Sequence, residues 1–348
     1  MTKLIGYVGT YTKENSNGVY QFTLDTEKKE ITDVKLAAEL SNPTYITVSD
    51  DNKNLYAVAK FGENGGVTAF AIESETGELT KINSQTSAGS PPCHVSVNHH
   101  KSNLVTANYH TTEISSYLTN EDGSLNPVAS VIEHEGSGPH ERQEKPHMHF
   151  AGFTPDEKYV IAIDLGSDRI LTYRVNDGKL EVAQVYTTSP GSGPRHITFH
   201  PNKKFAYVMT ELSSEVLVLH YVDKDGSFTN QQSISNIPED FKETNDGSAI
   251  HISSDGQYVY AGNRGHNSIG IFKVNQDTGQ LTFIEWTSTE GNWPRDFVLD
   301  PSEEFLVATN QISNTMTLFS RDKSTGKLAL IQSGVEVPEP VCVKFLNL

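Results

Sequence analysis

Short apolar stretches alternate with polar residues along the whole chain, and they recur in the same order about every fifty residues. Each unit opens on a proline or glycine, continues with an apolar alternation and a turn, and then gives a second alternation. The opening residues are Pro43, Pro92, Pro146, Pro194, Gly247, Pro294 and Pro340, and successive ones are 46–54 residues apart. A period in this range is typical of repeat proteins, in which each unit buries its apolar face against its neighbours.

The alternation has the two-residue period of β-strands, and the runs are too short for ordinary helices. In the fourth unit the pattern predicts strands over residues 196–199, 205–210 and 215–221, followed by a turn and a fourth strand. The turns at this place contain Gly77, Gly123, Gly178, Gly226, Gly279 and Gly326. Glycine supplies the positive φ that a tight hairpin needs. Four antiparallel strands in a unit of this length predict one blade of a β-propeller.

The two ends of the chain complete the count of blades. The chain finishes with one inner strand after Pro340, and it begins with three outer strands at 5–10, at 18–24 and near Leu36. We therefore predict an all-β fold, a seven-bladed β-propeller that occupies residues 1–348 as a single domain. The N- and C-terminal strands would share one blade, which leaves no open sheet edge.

The chain is acidic, with 27 Lys and Arg against 44 Asp and Glu and a formal charge of −17. Such a surface repels nucleic acid and anionic membranes, so neither is expected as a partner. The N-terminus has no apolar run that resembles a signal peptide, and a cytoplasmic location is the simplest prediction. Cys93 and Cys342 are too few for a disulfide framework, and we expect both to be small buried side chains. Nothing in the composition indicates an oligomeric state.

Two positions of each repeat are expected at one mouth of the axial channel: the residue after the repeated proline, and the end of the second strand. The first position brings His149, Arg195 and Arg295, and the second brings Lys60, Glu211, Asn263 and Arg264. Cations, a carboxylate and an imidazole around one opening suit a small anionic ligand that undergoes proton transfer. Alternatively, the arginines are clamps between blades, and Glu211 and Arg264 form a buried ion pair.

Several segments resemble the seven-bladed lactonase family, whose activities include 6-phosphogluconolactone hydrolysis and carboxymuconate cyclisation. They are Gly193-Pro194-Arg195-His196, Glu211-Leu212, Asn263-Arg264 and Pro294-Arg295. The resemblance implies a catalytic set of His149, Arg195, Glu211 and Arg264. It implies hydrolysis of 6-phosphogluconolactone, a phosphorylated sugar lactone of the pentose phosphate route. A cyclase, a lactonase for another sugar or muconate lactone, or a non-catalytic binding propeller remain alternatives.

The roles within this set follow from the chemistry of lactone hydrolysis. His149 or Glu211 would be the general base, and Arg195 and Arg264 would neutralise the oxyanion. Arg295, His147 and Lys60 would hold the phosphate, with Asn263 as a further substrate contact.

His147 and His149 also have the spacing of a pair of metal ligands, with His140, Glu141 and Glu144 nearby. The His-x-His-x-Asp-His continuation of metal-dependent lactonases is missing, because Phe150-Ala151-Gly152 follows. We therefore expect neither a metal nor another cofactor. Two long connections, residues 133–146 and 237–247, open on the same face and are either a partial lid or tolerated surface insertions.

Overall fold

The computed structural model describes residues 2–347 and contains 28 β-strands in this part of the chain. In chain order they are β1 Lys3–Thr10, β2 Gly18–Asp25, β3 Glu30–Glu39, β4 Ile46–Val48, β5 Asn54–Phe61, β6 Asn64–Ile72, β7 Leu79–Ala88, β8 His94–Val97, β9 Asn103–Ala107, β10 Glu113–Thr119, β11 Leu125–Glu133, β12 Met148–Phe153, β13 Tyr159–Asp164 and β14 Arg169–Asn176. They continue as β15 Lys179–Thr187, β16 Pro194–Phe199, β17 Phe205–Thr210, β18 Glu215–Val222, β19 Ser227–Ser235, β20 Asp246–Ile252, β21 Tyr258–Arg264, β22 Ser268–Val274, β23 Leu281–Ser288, β24 Pro294–Leu299, β25 Phe305–Asn310, β26 Thr315–Arg321, β27 Leu328–Glu336 and β28 Pro340–Phe345. The described residues include no helix that is long and apolar enough to span a membrane.

The strands form seven four-stranded antiparallel sheets, and the inner strand of each sheet contacts the inner strand of the next. The contacts run from β4 through β8, β12, β16, β20 and β24 to β28, and β28 contacts β4 again. The ring is therefore closed, and the predicted seven-bladed β-propeller is confirmed.

The second strand of each blade is apolar on both faces because it lies between two neighbouring blades. In β17, Phe205, Tyr207 and Met209 pack toward the next blade, while Ala206 and Val208 pack toward the previous one. All six residues of this strand are buried. The hydrophobic core consequently consists of layers between successive blades and does not form one central cluster.

The ring closes through pairing of the two ends of the chain, as the sequence predicts. The last strand, β28, pairs antiparallel with β1, and Val343 lies opposite Val8. The blade therefore takes its inner strand from the C-terminus and its three outer strands from the N-terminus. This pairing joins the two ends of the chain within one sheet and so completes the ring.

The predicted hairpin glycines have the expected backbone conformation. Gly77 and Gly279 have φ of 69° and 71°, and their carbonyl oxygens accept hydrogen bonds from Tyr7 and Tyr207 at 2.6 and 3.0 Å. A Cβ at Gly279 would lie 2.5 Å from the Phe205 ring. The glycines therefore serve both the turn and the docking of one blade on another.

Candidate active site

A cavity of about 420 Å³ opens at one end of the axial channel. Its lining combines residues that follow the repeated proline with residues from the ends of second strands, as the repeat geometry predicts. The lining residues are Tyr11, Lys13, Asn42, Thr44, Lys60, Ser90, Pro91, Pro92, Cys93, Tyr109, His110, Arg142, His149, Glu211, Arg264 and Arg295. Volume and mixed lining are typical of a small-molecule site.

Glu211, one residue beyond the end of β17, is the anionic centre of this cavity. Its Oε2 lies 3.0 Å from Arg195 Nε and 2.7 Å from Arg264 Nη2, and its Oε1 pairs with Arg142. The Glu211 side chain is only 4% exposed. Arg195 comes from β16 of the same blade and Arg264 from the end of β21 in the next blade, so the cluster also joins two blades.

The two buried arginines are held in place by backbone carbonyls as well as by Glu211. Arg195 Nη1 donates to Ser248 O at 2.8 Å, and Arg264 Nη2 donates to Gly247 O at 2.7 Å. Arg264 Nε is buried and has no hydrogen-bond acceptor among the described residues. Arg264 also lines the cavity, and its fixed positive charge is suited to an anionic oxygen bound there.

The charges around Glu211 determine its ionisation. Burial alone would raise the pKa of this carboxyl, but the positive charges of Arg264 and Arg195 outweigh burial and hold the pKa well below its usual value. For Arg195, burial and the neighbouring Arg264 lower the pKa to about 10. Glu211 is therefore an anion at neutral pH, fully engaged with arginines and poorly suited to accept a proton.

His149, at the start of β12, lines the same cavity. Its Nδ1 is buried without a hydrogen-bond partner among residues 2–347. Burial and the charge of Arg195 hold the pKa of this imidazole well below its usual value. The ring is therefore neutral at pH 7, and its Nδ1 is not committed to a hydrogen bond within the described residues.

A smaller cavity of about 30 Å³ lies beside the main one and is lined in part by His149, Arg195 and His196. The rings of His149 and His196 are 5.2 Å apart, and burial together with Arg195 holds the pKa of His196 well below its usual value. This volume is large enough to hold a water molecule. Both histidines therefore line a small internal space next to the main cavity.

Arg142 belongs to the long connection 133–146 and was not among the residues predicted from the sequence. Its Nη1 lies 2.9 Å from Asp246 Oδ1, so one guanidinium joins Glu211 to a carboxylate at the start of β20. Burial alone would lower the pKa of Arg142, but Glu211 and Asp246 raise it above its usual value. The two long connections therefore meet at this ion pair, and Arg142 lines the cavity.

Two of the predicted substrate contacts do not line the cavity. Asn263 is fully buried, and its amide donates to Asn236 O at 2.7 Å and to Ser268 Oγ at 3.2 Å. His147 lies behind Tyr109, with ring centroids 4.1 Å apart, and its Nδ1 donates to Tyr109 O at 2.9 Å. His147 thus supports the Tyr109 ring, which in turn contacts the edge of His149.

The remaining predicted residues, Lys60 and Arg295, do line the cavity, together with Tyr11 and Lys13 from the loop after β1. Lys13 was not among the residues predicted from the sequence. A basic residue in a loop has no position in the repeat, so the pattern alone does not separate it from other exposed lysines.

The two cysteines are in different environments. Cys342 is fully buried, as expected, whereas Cys93 is partly buried and lines the cavity. Burial raises the pKa of Cys93 to about 11, and its Sγ lies 3.3 Å from Met148 O. Cys93 is therefore a neutral thiol and not an activated nucleophile.

No group of three or more His, Cys, Asp or Glu side chains within residues 2–347 is arranged to hold a metal ion. His147 Nε2 is 3.2 Å from the nearer carboxylate oxygen of Glu144, and its other nitrogen is used by Tyr109 O. Of the two histidines noted in the sequence, His147 supports Tyr109 and His149 lines the cavity.

The model of the family described as "Lactonase, 7-bladed beta-propeller" matches residues 5–345. The chain belongs to this lactonase family. The predicted resemblance is therefore confirmed over almost the whole chain.

The members that are most informative for function are similar from end to end. A Bacillus subtilis protein named 6-phosphogluconolactonase is 54% identical over 347 residues, which cover 100% of this chain and 99% of that protein. A solved structure from Lactobacillus plantarum has 40% identity and a TM-score of 0.96, with 99% and 100% of the two chains covered. The Pseudomonas aeruginosa periplasmic gluconolactonase has 32% identity and a TM-score of 0.94, with 99% of each chain covered.

Proposed function

We propose that this member of the lactonase family hydrolyses 6-phosphogluconolactone to 6-phosphogluconate in the cytoplasm, as part of the pentose phosphate route. The observation that carries the proposal is the cavity in which Glu211 binds three arginines beside the unpartnered nitrogen of His149. The 54% identity to the Bacillus subtilis protein supports the choice of substrate.

His149 is the general base of the proposed reaction. Its imidazole is neutral and lines the cavity, whereas Glu211 is already bound to Arg142, Arg195 and Arg264. His149 removes a proton from a water molecule as the water oxygen attacks the lactone carbonyl carbon. Negative charge then develops on the carbonyl oxygen near the arginines, and this charge raises the proton affinity of His149 as the proton arrives.

Arg264, with Arg195 behind it, stabilises the tetrahedral oxyanion. Arg142, Arg195 and Arg264 carry three positive charges against the two negative charges of Glu211 and Asp246, so the cluster retains an excess of one positive charge. When the intermediate collapses, the bond between the carbonyl carbon and the ring oxygen breaks, and the ring oxygen takes the proton from protonated His149. The product carboxylic acid then loses its proton to solvent and leaves as the carboxylate.

Glu211 orients the arginines and does not accept the proton. Its two oxygens bind three guanidinium groups that come from three different parts of the chain. Without it, three like charges would repel one another, and the oxyanion site would lose its geometry.

The test is the initial rate of 6-phosphogluconolactone hydrolysis above the spontaneous reaction, for the wild type and for His149→Asn. We expect the variant to lose about 10²–10⁴-fold in kcat, the usual contribution of a general base. His100→Asn, which removes an exposed imidazole, is the matched control and should retain the wild-type rate. A wild-type rate equal to the spontaneous rate would contradict the proposed activity, and a His149→Asn rate equal to wild type would contradict the role of His149.

The same assay after treatment with a chelator tests the derived mechanism. We expect an unchanged rate, because each step above uses only side chains of this chain and water. Loss of activity on chelation and its recovery with a divalent metal would show that the chemistry needs a metal ion.

A further inference from the structure

Three cations of the cavity wall, Lys13, Lys60 and Arg295, are not used by the lactone chemistry. We propose that they bind a phosphomonoester group on the substrate, so that the protein selects phosphorylated over unphosphorylated sugar lactones. This inference rests on the proposed function, because it assigns the part of the same cavity that recognises the substrate's phosphate.

The three cations have no anionic partner within residues 2–347. No ion pair includes Lys13 or Lys60, and the guanidinium of Arg295 reaches only the neutral Gln311, with Nη1 and Oε1 3.4 Å apart. By contrast, Arg142 and Arg264 in the same lining are paired with carboxylates. In a chain with a formal charge of −17, a group of unpaired cations in one cavity is suited to a dianionic ligand.

Tyr11 organises two of these cations without neutralising them. Lys13 Nζ lies 4.2 Å from the centre of the Tyr11 ring, and Arg295 Cζ lies 5.4 Å from it. A cation beside an aromatic face is stabilised by the ring's negative potential and keeps its full charge. Lys13 and Arg295 are therefore held near each other, although they are 282 residues apart in sequence (295 − 13).

The loop that carries Lys13 is fixed by its backbone. Glu339 Oε2 accepts hydrogen bonds from the backbone N–H groups of Lys13 and Glu14, each at 2.9 Å, and Tyr11 N donates to Glu339 O at 3.1 Å. The nearby carboxylate of Glu339 is thus occupied by main-chain donors. Thr12 and Asn42 add two reciprocal hydrogen bonds of 3.1 Å. A loop held in this way can present a lysine at little entropic cost on binding.

The cavity is lined both by the residues proposed for the ester chemistry and by the three cations, so one substrate molecule can contact both groups. Glu211, Arg264 and His149 line the same cavity as Lys13 and Lys60. In a 6-phosphorylated sugar lactone, the phosphate and the reacting carbonyl are at opposite ends of the carbon chain. A ligand whose carbonyl lies beside Arg264 can therefore place its phosphate on a separate part of the wall.

The names of two relatives differ in whether the lactone carries a phosphate. The Bacillus subtilis relative is named for a phosphorylated lactone and the Pseudomonas aeruginosa relative for gluconolactone. Lys13 and Lys60 have no role in the proposed ester chemistry and are therefore the groups with which recognition of the phosphate can be tested.

The test compares kcat/KM for 6-phosphogluconolactone with kcat/KM for gluconolactone in Lys13→Gln, Lys60→Gln and the double variant. We expect the ratio of the two values to fall about tenfold for each lysine, since each variant loses one charge-assisted contact to phosphate. Lys35→Gln/Lys179→Gln removes two exposed lysines from outer strands and is the matched control, with an unchanged ratio. Arg295 is left intact because it also adjoins the smaller cavity with His149 and Arg195.

Calorimetric binding of 6-phosphogluconate and of gluconate separates this inference from the proposed function. Weaker binding of 6-phosphogluconate by the double variant, with the same weak binding of gluconate as wild type, would support the phosphate site even if no lactone is hydrolysed. Unchanged 6-phosphogluconate affinity and an unchanged kcat/KM ratio in the folded double variant would overturn it. If the double variant is unfolded by circular dichroism, the two single variants give the same two readouts.

Discussion

Two buried carboxylates, Glu211 and Asp296, lie near the axial channel, and they differ in what surrounds them. Glu211 binds three arginines and adjoins an open cavity of about 420 Å³. Asp296 of β24 faces one lysine, with its Oδ2 3.4 Å from Lys344 Nζ, and accepts a hydrogen bond from Val343 N at 3.0 Å. Both side chains are 4% exposed, so burial is not the difference.

The charge balance and the backbone contacts separate the two sites. Asp296 and Lys344 compensate each other one to one, and the carboxylate is bound to the main chain of β28, which closes the ring. The cluster around Glu211 keeps an excess positive charge and an unsatisfied donor on Arg264. Removing one partner of a balanced buried pair is expected to destabilise the fold, whereas an unbalanced cluster beside a cavity is expected to bind an anion.

The largest effect is expected for Asp296→Asn, measured as the free energy of unfolding. The variant leaves the buried charge of Lys344 without its carboxylate and weakens the closing strand, at a cost of about 3–4 kcal/mol. Folded protein should retain its kcat within a few fold, because Asp296 does not contact the reacting carbonyl in the proposed mechanism. Asp177→Asn in an exposed hairpin is the control and should change stability by less than about 0.5 kcal/mol. Loss of kcat with unchanged stability would remove the distinction between the two carboxylates.

Arg264→Gln should show the opposite behaviour. Glu211 would keep Arg142 and Arg195, so the fold should survive, but the oxyanion loses a donor and kcat should fall about 100-fold. The control is Arg321→Gln, which removes a buried arginine that lies 3.3 Å from Glu303 and is not part of the cavity lining. Arg321→Gln should lower the melting temperature and leave kcat unchanged. Equal kcat losses in both variants would show that burial of an arginine, and not its place at Glu211, matters.

A smaller effect is expected for Arg142→Gln. The side chain is 37% exposed, so its pairing with Glu211 and Asp246 is partly screened by solvent. We expect kcat/KM to fall about tenfold, because the two long connections lose their shared contact over the cavity. Arg174→Gln, an exposed arginine of β14, should leave kcat/KM unchanged. A wild-type value in Arg142→Gln would mean that the loop contact is only a surface feature.

The smallest effect is expected for the stability of the fold at acidic pH. Burial alone would raise the pKa of Asp296, but Lys344 and His251 hold it well below its usual value. A carboxyl with a depressed folded-state pKa stabilises the fold above its unfolded pKa of about 3.9 and loses this contribution as pH falls further. Between pH 5 and 3, wild type should lose about 1 kcal/mol more than Asp296→Asn in denaturant titrations. Equal losses of stability in both proteins would mean that Lys344 does not keep Asp296 ionised in the folded state.

The fold could be predicted well because each blade repeats one pattern of apolar and polar residues. The strands of the fourth unit, the glycine turns and the shared closing blade all follow from local alternation and from the positions of Pro and Gly. Five of the eight predicted site residues line the main cavity, because the repeat fixes which positions face the channel mouth. The five are His149, Glu211, Arg264, Arg295 and Lys60.

The remaining parts of the candidate site depend on loops and on side-chain partners. Arg142 and Lys13 belong to connections that have no counterpart in the repeat, and Arg195 lies in the smaller cavity. His147 and Asn263 occupy predicted positions, yet their polar atoms are taken by Tyr109 and Asn236. No spacing along the chain reveals which neighbour will satisfy a buried polar group.

The amino-acid sequence by itself determined the seven-bladed ring and the set of positions at its mouth, because strand alternation and turn chemistry are local. The tertiary structure alone decided that three arginines share Glu211 while Lys344 pairs with Asp296. It also brought Lys13 and Arg295 to the same tyrosine ring. Coulombic interactions and desolvation depend on distances in space, and closure of the ring places residues from opposite ends of the chain within a few ångströms of one another.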